Sequence, residues 1–128
     1  MKRKEETKYK FEELSKGIIS AAIDVHKSLG PGFLEAIYEN AMKLNLKSKG
    51  IRFKAQAPME IRYLGEIVGT HRLDLIIENE IIVELKAVSE LNKIFVSQLR
   101  SYLKAADKRV GLLLNFFKPV LEIKRVVN

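Results

Sequence analysis

From Phe11 onward, apolar positions recur at helical spacing: Phe11, Leu14, Ile18, Ala22, Val25 and Leu29 predict a first helix. Gly30, Pro31 and Gly32 stop it, because glycine suits a C-terminal cap and proline cannot continue the hydrogen-bond ladder. A second stripe, Leu34, Ile37, Ala41 and Leu44, predicts another helix that ends near Gly50. The spacing then becomes that of strands, at about 52–57, 59–64, 66–71 running on into 72–78, and 81–87, divided at Pro58, Gly65 and Asn79. Residues 89–107 return to helical spacing, with Ser89 predicted as N-cap and Glu90 in the first turn. The nearly unbroken apolar run 109–117 predicts a central strand covered on both faces, and 120–127 a last strand at an edge. The order α-α-β-β-β-β-α-β-β makes this an α/β (α+β mixed) protein, a mixed sheet flanked by helices. Residues 1–10 read as a charged lead-in and 11–128 as a single domain.

The hairpin 72–88 breaks the apolar pattern with charge. Leu73, Leu75 and Ile77 alternate with Arg72, Asp74 and Ile76, and Ile81, Val83 and Leu85 alternate with Ile82, Glu84 and Lys86. One face is therefore wholly aliphatic and the other carries every charge within the strands. A three-residue loop, Glu78–Asn79–Glu80, sets Asp74 across from Glu84 and Arg72 across from Lys86. A two-residue loop would set Asp74 against the apolar face. Opposed Cβ atoms lie about 4.5–5.5 Å apart, so two carboxylates there repel unless a cation sits between them. Hard oxygen donors favour Mg2+, with Mn2+ as an alternative. Lys86 is placed to reach a phosphate or an attacking water. The same alternation also suits a solvated polar face on a surface hairpin.

Composition narrows the chemistry. The chain has no cysteine, which excludes disulfides, thiolate metal sites and an iron–sulfur cluster. No apolar run approaches the roughly 20 residues of a membrane span, and the charged start is not followed by a signal-like apolar core. A cytoplasmic protein that does not engage a membrane is the expectation. The net charge is +7, and residues 100–128 hold 7 Lys/Arg against 2 Asp/Glu. Basic ends around a slightly acidic middle suit a polyanion with metal between, although solubility alone would account for the charge. His26 and His71 do not form a metal pair, and His26 reads as structural.

Together the motifs resemble a known family. Asp74 followed by Glu84-Leu85-Lys86 is similar to the Asp…Glu-x-Lys signature of the PD-(D/E)XK nuclease superfamily. Gly32, Glu35 and Tyr38 match the Gly-x-x-Glu-x-x-Tyr motif of the small GxxExxY proteins. Gln98 and Tyr102 match the Gln-x-x-x-Tyr motif of RecB-like and λ-exonuclease-like members. The likeness covers about residues 11–127 and implies a restriction-endonuclease-like core. The proline before the first aspartate is replaced by Leu73.

By that resemblance Asp74, Glu84, Glu35 and the Leu85 backbone carbonyl hold the metal, and Lys86 orients the nucleophilic water and stabilises charge on the phosphate. Gln98 and Tyr102 support the lysine and touch the substrate, while Arg72 and Arg100 neutralise its backbone. The implied activity is magnesium-dependent phosphodiester hydrolysis, with DNA the favoured nucleic acid and a homodimer expected. The competing reading is a nuclease-fold module of little or no activity that binds nucleic acid or a protein partner. A further one is a subunit whose site another protein completes.

Overall fold

The computed structural model describes the backbone of residues 2–128, with the side chains of Lys8 and of Lys10 onward. Its elements are α1 (Lys2–Leu29), α2 (Glu35–Ser48), β1 (Phe53–Tyr63), β2 (Glu66–Ile77), β3 (Ile81–Lys86), α3 (Lys93–Ala106), β4 (Val110–Asn115) and β5 (Glu122–Val127). The order is thus α-α-β-β-β-α-β-β, one strand fewer than the sequence suggests. Pro58 does not break its strand, because β1 lies at an edge of the sheet, where a missing N–H is tolerated. Helix α1 begins at Lys2 rather than at Phe11.

The five strands form one sheet in the order β1-β2-β3-β4-β5. Strands β3 and β4 run parallel, joined by the α3 crossover, and every other pair is antiparallel. One face is covered by α1 and α2, whose Ile18, Val25, Tyr38, Met42 and Leu46 pack on Leu75, Ile77, Val83, Leu85, Leu112 and Leu114. The other is covered by α3, whose Leu99 and Leu103 pack on Met59, Leu73, Ile82, Leu113 and Val126. Each such buried aliphatic side chain contributes about 1.5–3 kcal/mol. Strand β4 is buried at every position, as its unbroken apolar run predicts, and β5 is the far edge. Leu99 sits so close to Gly111 that a Cβ there would lie 2.9 Å from its Cδ2.

Two helices differ from their sequence patterns. The buried stripe of α2 is Tyr38, Met42 and Leu46, while Leu34 and Leu44 are 77% and 73% exposed and Ile37 is exposed as well. The helix is rotated so that Tyr38, Met42 and Leu46, with Ala41 partly buried beside them, fill the space above the sheet. Helix α3 starts later than expected: Asn92, not Ser89, caps it, accepting the Ile94 N–H at 3.1 Å. Glu90 therefore lies ahead of the helix. Among the described residues no helix is long and apolar enough to cross a membrane.

Candidate active site

The centre of the molecule is a fork in the sheet. Strands β2 and β3 pair at Ile77↔Ile81, Ile76↔Ile82 and Leu75↔Val83, the register that the three-residue loop requires. Glu78 and Asn79 turn that loop with φ of 52° and 58°. At the next step, Asp74 opposite Glu84, the ladder stops and side chains take over its hydrogen bonds. The Asp74 N–H donates to Glu84 Oε2 at 2.8 Å, and the Leu85 N–H donates to Asp74 Oδ2 at 2.9 Å. Beyond the fork β2 continues alongside β1, and β3 alongside β4, so Arg72 and Lys86 do not pair as expected.

The fork also breaks the alternation along β2. Leu75 and Ile77 face α1 and α2, but Leu73 lies in the cluster under α3. The neighbouring strand is distorted at the same level: Gln56, between the pairs Ala55↔Leu75 and Ala57↔Leu73, has φ of 52°. One result is that His71 comes to the α3 side, where its ring stacks on Tyr102 at 4.1 Å and its Nε2 stands 3.5 Å from Glu84 Oε1. That nitrogen is buried without a hydrogen-bond partner among the described residues.

Charge accumulates in this space. Glu84 is only 4% exposed, and burial, with the Asp74 charge second, pushes its carboxyl up to about 8 despite the Asp74 N–H and Lys86. Glu35 is raised by burial and by Asp74, against the pull of Lys86. Glu39 is raised by burial and by Asp74 and Glu35, although it accepts a 2.7 Å bond from Gln56 Nε2. Burial, Glu84 and Asp74 raise the Tyr102 hydroxyl. Every one of these groups would gain from a cation at the fork.

Glu35 owes its position to Tyr38. The Tyr38 hydroxyl donates to the Gly30 carbonyl at 2.6 Å and accepts the Phe33 N–H at 3.1 Å, while its buried ring stacks on Phe116 at 4.5 Å. These contacts clamp the Gly30–Pro31–Gly32 bend, in which Gly30 and Gly32 take φ of 71° and 112°. Helix α2 starts immediately after it, with Glu35 in its first turn. The Gly32, Glu35 and Tyr38 positions thus act as one device for aiming a carboxylate.

The other expected residues divide. Lys86 joins the site, its Nζ lying 4.9 Å over the Phe95 ring centroid. Tyr102 joins through His71. Gln98, one turn before Tyr102, is exposed, and among the described residues Arg72 hydrogen-bonds only to the Gln56 carbonyl, at 3.4 Å. Arg100 points away from the fork, into a groove shared with Ser97, Ser101, Lys104 and Asn128. His26 is structural, its Nε2 2.8 Å from the Lys118 carbonyl. His71, Glu39 and Gln56 were not legible as site residues, because the irregularity at Gln56 and Asp74 that gathers them leaves no mark in the alternation.

A hard divalent cation fits the donors at the fork. Asp74 and Glu84 each spend one oxygen on a backbone N–H, leaving Asp74 Oδ1 and Glu84 Oε1 without hydrogen bonds among the described residues. The Leu85 N–H points into the fork, and in an extended strand the carbonyl of the same residue points the same way. Two carboxylate oxygens and a carbonyl are donors of the type that magnesium and manganese take. Among the described residues, no three Asp, Glu, His or Cys side chains are already gathered around an ion position. Glu35 faces the pair from the helix without closing on it.

Comparison with known proteins agrees with this architecture. A solved structure described as that of SSO0001 superposes with a TM-score of 0.55 at 18% identity, covering 73% of this chain and 49% of the other. The likeness is one of fold, and this chain spans about half the length of that protein. No curated protein matches the sequence. The family model of the PD-(D/E)XK nuclease superfamily matches residues 12–126, nearly the whole length, and the chain belongs to that superfamily.

Proposed function

We propose that the protein hydrolyses phosphodiester bonds of DNA with a divalent cation, magnesium by preference and manganese as a substitute, held by Asp74, Glu84 and the Leu85 carbonyl with Glu35 opposite. The observation that carries the reading is the pair of carboxylates at the sheet fork, one of them buried and raised to about 8. When bound, the cation would polarise the phosphoryl oxygen and make a neighbouring water more acidic. Lys86 supplies a positive charge beside the reacting phosphate, and Phe95 holds its amine on the α3 side of the fork. Tyr102 and His71 wall that side and limit access of bulk water. Within the superfamily, the Gly32/Glu35/Tyr38 and Gln98/Tyr102 motifs favour the GxxExxY group with its RecB-like core.

The test is incubation of wild type and Asp74→Ala with circular and linear DNA, in magnesium, manganese or a chelator. Cleavage is expected only from wild type with metal. Cleavage that survives chelation, or that Asp74→Ala retains, overturns the reading. Binding without cleavage in either metal would favour a nuclease-fold binding module instead.

A further inference from the structure

We propose that a depression beside the fork seats one unpaired nucleobase against Phe33 and Phe117, so that the substrate is engaged as a single strand at this point. The identity of the ligand rests on the nuclease reading. The seat itself rests on the surface described next.

The depression has a volume of about 270 Å³ and is lined by Gly32, Phe33, Leu34, Glu35, Ala87 and Phe117. It is continuous with the candidate active site, because Glu35 belongs to both and Ala87 directly follows Lys86. A nucleotide whose phosphate lies at the fork therefore has its base within reach of this surface. Phe33 and Phe117 are 45% and 50% exposed, and nothing among the described residues covers them.

Both rings are carried on fixed backbone. The Phe33 N–H is held by the Tyr38 hydroxyl, and its ring meets Tyr38 edge-on at 6.1 Å. The Phe117 N–H donates to Asn115 Oδ1 at 3.3 Å. Asn115 is fully buried and pinned through Val88, whose N–H donates to it at 3.0 Å and whose carbonyl accepts from it at 2.8 Å. Little ordering is therefore lost when a flat ligand stacks there.

Chemistry selects the ligand. A base inside a duplex has both faces covered by its neighbours and offers a protein only its edges, so an aromatic floor can be met only by an unstacked base. Stacking on aromatic rings accepts any base, which fits a depression with few polar groups. Lys118, its amine 3.4 Å from Glu122 Oε2, follows Phe117, and Lys86 precedes Ala87, so two cations adjoin the lining residues along the chain.

The test uses Asp74→Asn protein, so that substrate survives, with magnesium and a single-stranded oligonucleotide carrying 2-aminopurine, whose fluorescence falls when it stacks. Quenching is expected. Phe33→Ala and Phe117→Ala should each weaken single-strand binding roughly 5- to 100-fold, while Phe33→Tyr retains it and duplex binding changes by less than about twofold. Equal affinity of the alanine variants, an equal loss on duplex, or a tyrosine variant as weak as alanine would overturn the seat. Cleavage of the same oligonucleotides by the wild-type fold, with and without Phe33→Ala, separates the two claims. Metal-dependent cleavage that Phe33→Ala and Phe117→Ala leave untouched removes the seat and keeps the nuclease. Ring-dependent quenching without cleavage in any metal keeps the seat and removes the nuclease.

Discussion

Replacing Glu84 by Gln isolates the electrostatics of the fork. In the metal-free protein burial and the Asp74 charge push the Glu84 carboxyl up to about 8, against an ordinary value of 4.5. Between those values the folded state keeps a proton that the unfolded chain has released, so folding stability falls as pH rises through that window. The gap, at 1.36 kcal/mol per pH unit, amounts to about 5 kcal/mol above pH 8 and about 3 kcal/mol at pH 7. Below about pH 4.5 the penalty vanishes, because both states are protonated. A glutamine retains an oxygen to accept the Asp74 N–H, now bound at 2.8 Å, and carries no charge at any pH.

The assay is denaturant unfolding of wild type and Glu84→Gln in chelator, at about pH 5, 7 and 8.5. The two proteins should be close in stability at the acid end, and the variant should be the more stable by several kcal/mol at the alkaline end. Glu35 and Glu39 are raised as well, but they remain in both proteins, so the difference between them reports Glu84. Magnesium should then narrow the gap. A ligand at 100 times its dissociation constant stabilises by about 2.7 kcal/mol, a gain open to wild type and largely closed to the variant. Parallel pH profiles for the two proteins in chelator would refute the reasoning, since they would mean that Glu84 does not hold its proton in the folded state.

Three further substitutions probe the parts that hold the site. Tyr38→Phe removes the hydroxyl that binds Gly30 and Phe33, and should cost about 1–3 kcal/mol in a thermal melt while lowering metal affinity through a loosened Glu35. Gly111→Ala drives a methyl group into Leu99, with contacts that begin at 2.9 Å; it should cost about 1–3 kcal/mol in urea, less when combined with Leu99→Ala. Asn115→Ala leaves the Val88 N–H and carbonyl and the Phe117 N–H without their partner and should cost roughly 2–4 kcal/mol, read from the denaturant midpoint.

What the sequence reveals and what it hides have physical reasons. The register of β2 and β3 is legible, because side-chain period and loop parity leave one pairing that buries the aliphatic face, and that pairing is the one found. The central β4 is legible because only a strand covered on both sides can be apolar throughout. The rotation of α2 is not: Tyr38 and Met42 take the interior in place of Leu34 and Leu44, Tyr38 through two hydrogen bonds to the bend just ahead of the helix and a stack on Phe116, a partner that no local window contains. Nor is the place of His71. Strict alternation puts it on the face opposite Asp74, and only the irregularity at Gln56 and Asp74 turns it toward Glu84.

That irregularity gives the charged residues of the hairpin a common cause. A regular ladder through Asp74 and Glu84 would tie up the backbone groups of both strands and leave their carboxylates as an exposed, repelling pair. The fork instead lets each carboxylate bind a backbone N–H of the opposite strand, which satisfies those donors without continuing the sheet. It also leaves the Leu85 carbonyl directed into the gap beside the remaining carboxylate oxygens. The residues that end the pairing are thus the ones that face the gap it creates. For that reason alanine at either carboxylate would unsettle the strands along with the chemistry, whereas an amide, which keeps the acceptor and removes the charge, separates the two.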